Sequence, residues 1–151
     1  MTAISWMTRR GRRYLDRARA YGRAAAALAE VGMVEDVRPP FFMLIAHAME
    51  LGLKAVIAGG AVDDERLIII GHDLPLCLRL AGDRGLDLEP AGTEIEAVLS
   101  ALAMPHLAQT LRYPAYLSWP LPDPQNALNA LDGLLARVAD ALDTPPRPTL
   151  N

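Results

Sequence analysis

Between Arg9 and Val31 the apolar residues Tyr14, Ala18, Tyr21, Ala25 and Leu28 recur every three or four positions, which is the period of one helical face. Arg12, Asp16, Arg19 and Arg23 then fall on the opposite face. Gly32 reads as the stop of this helix, and Glu35 to Arg38 as a short connector ahead of Pro39-Pro40. Proline suits a first helical turn, whose amides lack intrahelical partners, so a second helix is expected from the double proline to Ala58, before Gly59-Gly60. Its residues Phe41, Phe42, Leu44, Ile45, Ala48, Met49, Leu51, Leu53, Val56 and Ile57 are apolar nearly all round, the mark of a central rod.

Asp63, Asp64 and Glu65 favour the first turn of a short helix, although Leu67 to Ile70 would also suit an extended connector. Asp73 is a good N-cap for a helix running to Gly82 or Gly85, with Pro75 tolerated in its first turn. Thr93 and Glu96 have capping-box spacing ahead of the stripe Ile95, Val98, Leu99 and Leu102, and Pro105 is expected to kink or restart that helix. Leu111 to Pro124, rich in proline with Tyr113, Tyr116 and Trp119, reads as an irregular crossing over the bundle. Asp123-Pro124 starts a last helix with the seam Leu128, Leu131, Leu135, Val138 and Leu142. These elements predict an all-α fold: one antiparallel bundle domain of four to five main helices with short extra ones over residues 1–143, and a Pro-rich tail over 144–151.

Composition narrows this picture without changing it. A chain of 151 residues is long enough to bury a core without a staple, and Cys77, the single cysteine, sits among Leu76, Leu78 and Leu80 as a small apolar residue would. The first ten residues lack the apolar run of a secretion signal, and the longest apolar stretches are broken by Gly, His, Glu or Lys, so a cytoplasmic protein outside the membrane is expected. The net charge of −3 conceals an arginine-rich first segment, where Arg9, Arg10, Arg12, Arg13, Arg17, Arg19 and Arg23 stand against Asp16 alone. Such a face suits a polyanion, with Arg12, Arg19 and Arg23 as its contacts, or pairs with acidic surface of its own fold or of a partner subunit.

The polar residues of the apolar elements are the candidates for chemistry. His47, Glu50 and Lys54 lie three and four positions apart and project from one edge of the central helix, so each needs a partner. His72, just ahead of the Asp73 cap, suits an acid, a base or a lock on the turn. The spacing would let His47, Glu50 and Lys54 meet His72 and Asp73 in a structural polar cluster at the junction of two helices. Arg112 and Tyr113 offer a phosphate contact and a stacking surface, with Tyr116 and Trp119 beside them, unless the aromatics plug the bundle as a lid. The Glu-x-x-His repeat of di-iron bundles is absent, His47 and Glu50 give one reversed pair, and no phosphate loop, nucleophile elbow or zinc-cysteine spacing occurs. No metal and no cofactor are therefore expected.

The run Leu44-Ile45-Ala46-His47-Ala48-Met49-Glu50-Leu51-Gly52-Leu53-Lys54-Ala55, a short acidic segment, Gly71-His72-Asp73-Leu74 and then Leu111-Arg112-Tyr113-Pro114 follow one another over about half the chain. In order and spacing they resemble the HEPN-like (higher eukaryote and prokaryote nucleotide-binding) helical domains. The resemblance implies a four- or five-helix bundle, commonly a homodimer, in a superfamily of metal-independent ribonucleases of toxin and defence systems and their inactive relatives. Nuclease members carry an arginine followed after four to six residues by a histidine; Arg66 and His72 match that count. Leu67 departs from the usual polar residue after the arginine, and Gly71 interrupts any helix the two would share. The resemblance thus favours a binding or accessory module acting on RNA or on a cognate toxin-antitoxin-type protein partner. A metal-independent endoribonuclease using Arg66 and His72 across a dimer interface, and a small-ligand or metal-binding bundle, are the alternatives.

Overall fold

The computed structural model describes residues 2–114 and 119–144, so Tyr116 and nearly all of the expected tail lie outside the described residues. Six helices account for the secondary structure there: α1 (Ala3–Glu30), α2 (Arg38–Ala58), α3 (Asp64–Ile70), α4 (Leu74–Asp83), α5 (Gly92–Leu107) and α6 (Pro124–Asp143). No strand occurs among the described residues, and the expected all-α bundle is what the chain forms.

Most helix boundaries follow local chemistry. The amides of Gly32 and Met33 bond back to the carbonyls of Ala29 and Leu28, a Schellman closure of α1 that needs the positive φ of 69° adopted by Gly32. Asp63, Asp73 and Asp123 each accept a backbone hydrogen bond from the residue three positions on and so cap α3, α4 and α6. Gly71, at φ 63°, ends α3 and separates it from α4. The capping box expected at Thr93 and Glu96 does not form. Helix α5 starts earlier, at Gly92, behind Ala91, which supplies no side-chain cap, so the threonine lies already inside the helix. Pro105 lies within the last turn of α5, which ends two residues later at Leu107.

Helix α2 is the central rod, packed against α1, α4, α5 and α6. By length and composition alone it would suffice to cross a membrane, so its polar residues do not shorten the apolar stretch as expected. Within this fold, however, 78% of that apolar window is buried by the surrounding helices. Helix α1 comes closest where Gly11 faces the Ala55 carbonyl, and α6 crosses α2 where Gly52 meets Leu135. The buried stripe of α1 is Leu15, Ala18 and Ala25, with Tyr14, Tyr21 and Leu28 half-buried at its margins. Arg10 pairs with Asp64 and the Val62 carbonyl, and Arg12 with Asp143, so part of the basic face is used within the fold. Arg19 and Arg23 are exposed.

Candidate functional site: a carboxylate among three imidazoles

Glu50 lies in the middle of α2 and is only 3% exposed. A carboxylate so placed must find donors, and three elements supply them. One turn along α2, the Lys54 ammonium donates to Oε1 at 2.7 Å. His72, in the turn between α3 and α4, places Nδ1 at 2.9 Å from Oε2, and His106, in the last turn of α5, places Nε2 at 2.6 Å from the same oxygen. Lys54 also donates to the Gly71 carbonyl at 2.7 Å, which fixes the turn that carries His72. One carboxylate therefore ties α2 to the α3–α4 turn and to the end of α5.

His47 completes the group without a hydrogen bond of its own to it. Its Nδ1 stands 3.8 Å from Glu50 Oε2, is buried and has no hydrogen-bond partner, while its ring packs edge-on against Tyr21 at 4.6 Å. The His106 and His72 rings meet at 5.3 Å, so three imidazoles surround one carboxylate oxygen. Burial pushes the Glu50 carboxyl up, but His106, His47, Lys54 and His72 outweigh it and hold the group well below the ordinary carboxylate range. Glu50 is thus ionised at any physiological pH. Cys77, buried beside this group on α4, is pushed up to about 12, mainly by burial. It is a packing residue with no thiolate at neutral pH.

The sequence-derived cluster is brought together in its main part, since Glu50 and Lys54 pair and His47 adjoins them. Asp73 does not join it, because its carboxylate accepts the Leu76 amide as the cap of α4. His106 was missed as a site residue. A signal for it existed, since His106 lies four positions beyond Leu102 and so continues the buried stripe of α5 as its one polar member. Arg66 and His72 are directed to different surroundings. Arg66 lines a cavity of about 200 Å³ with Ile57, Val62, Ile70, Leu80 and Arg84, whereas His72 turns toward Glu50.

Arg112 and Tyr113 are exposed on the turn that follows α5 and line a groove of about 490 Å³ together with Pro39, Pro40, Pro105 and Trp119. Tyr113 is 66% exposed, so it does not plug the bundle as a lid would. Because Pro105 precedes His106, the floor of this groove is attached directly to the Glu50 group. No protein-family model, curated protein or solved structure matches this chain.

Proposed function

We propose that this protein is an HEPN-like helical binding module of the cytoplasm that holds single-stranded RNA in the groove of Arg112, Tyr113 and Trp119, without cleaving it. The observation that carries this reading is the pairing, in one open groove, of an exposed guanidinium with an exposed tyrosine and a half-buried tryptophan. A guanidinium fits a phosphate with two parallel hydrogen bonds, and aromatic faces stack bases of any identity. The Glu50 group acts as a latch beneath it, fixing where α5 ends and hence where the Arg112 turn departs. Arg19 and Arg23 add charge that draws a polyanion toward the surface.

A noncatalytic role is supported by the engagement of His72, whose Nδ1 is held by Glu50 and so is not free to act on RNA, whether an arginine partner comes from the same chain or from a second copy. Self-association belongs to the same reading. Ile68 and Ile69, each 76% exposed on α3, form an apolar surface that a second copy would cover.

The test is binding of a fluorescent single-stranded RNA to the purified protein in chelator. Affinity should fall steeply with salt, and Arg112→Ala combined with Tyr113→Ala should weaken it by about tenfold or more, the magnitude of one lost base stack. Absent binding, or binding indifferent to salt and to both substitutions, would reject RNA as the ligand and leave a protein partner. Cleavage of the RNA that is lost in His72→Ala would reject the noncatalytic reading.

A further inference from the structure

We propose that His47, Glu50 and His106 form a binding site for one divalent transition-metal ion of the zinc type, with an open coordination position beside His72. The starting point is an atom that the latch leaves unused. Lys54 takes Glu50 Oε1, and His72 and His106 reach Oε2, yet His47 Nδ1 is buried, faces the same oxygen at 3.8 Å and bonds to nothing. The latch already has a donor on each carboxylate oxygen, and that imidazole adds to it only its nearness to the charge. A metal site needs that imidazole, because it supplies the nitrogen lone pair that the ion lacks.

The donor atoms of His47, Glu50 and His106 all lie within 4.8 Å of one another. Zinc bonds to nitrogen and carboxylate oxygen run to about 2.0–2.2 Å, so donors around a tetrahedral ion stand roughly 3.3 Å apart. The two separations from Glu50 Oε2, 2.6 Å to His106 and 3.8 Å to His47, straddle that value. Gathering the three donors around one ion would open the first of these contacts and close the second. Two imidazoles and one carboxylate are a ligand set that zinc accepts with a fourth position left for water, whereas magnesium and calcium require shells of six or more oxygens.

The surroundings suit an ion as well. His106 and Glu50 are 2% and 3% exposed, so most of the site is dry. The His72 side chain, 34% exposed with Nδ1 at 2.9 Å from Oε2, stands on the more open side. Lys54 stays on Oε1 and fixes the carboxylate from behind, as an outer partner of a ligating carboxylate does. On binding, the His106 nitrogen that faces Oε2 presents a lone pair to the ion; its proton moves to the other ring nitrogen, or leaves to solvent if the ring was cationic. The absence of a Glu-x-x-His repeat does not bear on this site, because its third ligand comes from another helix.

The experiment uses the full chain, freed of metal with chelator and titrated with Co²⁺ and separately with Zn²⁺. One equivalent of Co²⁺ per chain should produce the visible d–d absorption of a four- or five-coordinate nitrogen and oxygen site, and Zn²⁺ should displace it. Zn²⁺ should also raise Tm by several degrees, since an ion bound only by the folded state stabilises it. His47→Phe keeps the edge-on packing against Tyr21 and the hydrogen bonds of Lys54, His72 and His106 to Glu50, so the metal-free variant should stay folded with a Tm somewhat below the parent value while the absorption and the zinc-induced shift disappear. His47→Gln serves in its place if the phenylalanine variant misfolds. No Co²⁺ spectrum from the parent protein, or a spectrum and zinc shift undiminished in the His47 variant, would overturn the proposal. Because RNA binding is measured in chelator, failure of either proposal leaves the other standing.

Discussion

Nε2 of His106 lies 2.6 Å from Oε2 of Glu50 across 56 residues of chain, and this contact joins the end of α5 to the middle of the central helix. The same oxygen holds the α3–α4 turn through His72, so the folded arrangement of three elements depends on one buried carboxylate.

Glu50→Ala should therefore be severely destabilising. It leaves the Lys54 ammonium, 7% exposed, without its anionic partner and removes the acceptor of both His72 and His106. Loss of one partner from a buried charge pair costs roughly 3–5 kcal/mol, and urea unfolding of the purified variant measures it. Glu50→Ala combined with Lys54→Met should recover part of the loss, because no uncompensated buried charge then remains. A double variant no more stable than Glu50→Ala would remove the latch as the explanation.

Stability should fall in acid through this same group. The folded Glu50 carboxyl titrates below its unfolded value of about 4.3, so the unfolded chain binds the proton more readily. The contribution of Glu50 is then complete above roughly pH 5 and is lost as pH falls through about 4 and below. Between pH 5 and pH 3 the unfolding free energy of the parent protein should decline more steeply than that of Glu50→Gln, a difference that denaturant melts at several pH values would register. Parallel slopes would mean that Glu50 is not held ionised.

Cys77 should resist thiol reagents in the folded protein. Its side chain is fully buried on α4 and its thiol is pushed up to about 12, so at pH 8 only a trace of thiolate exists, out of reach of solvent. A disulfide-exchange reagent should label it at the rate of unfolding, and promptly in denaturant. Rapid labelling of the native protein would place α4 in frequent exchange with an open state.

Gly11→Ala should loosen the pairing of α1 with α2. An added methyl group would sit 2.8 Å from the Ala55 carbonyl oxygen and 2.9 Å from Leu142 Cδ2. Backbone oxygen cannot rotate away, so the two helices must separate, with a loss of about 1–3 kcal/mol that outweighs the better helix propensity of alanine. Gly82→Ala, where nothing lies within 4 Å of the new methyl, is the control and should be neutral or slightly stabilising. Equal effects of the two substitutions would exclude close helix approach as the cause.

By itself the sequence determined most of the helices, because their signals are local, and left α3 open between a short helix and an extended connector. Apolar spacing along α1, α5 and α6, the double proline ahead of α2, and the capping aspartates 63, 73 and 123 act over one or two turns, where chain geometry fixes which atoms meet. It failed at Thr93, where the observed start lies two residues earlier, behind Ala91, at a glycine where an added methyl group would come 3.1 Å from Glu89 Oε1 and 3.5 Å from Leu88 Cβ. The pair of Glu50 with Lys54 was legible for the same local reason, a spacing of four on one helix. Only the tertiary structure decided the rest of the group. Whether the second and third histidines meet that carboxylate depends on how α4 and α5 pack against α2, a question of distance between residues 22 and 56 positions apart, on which no spacing bears. Asp73 stayed out of the group for a local reason, as the cap of α4, whereas packing set Arg66 in a cavity that His72 does not line.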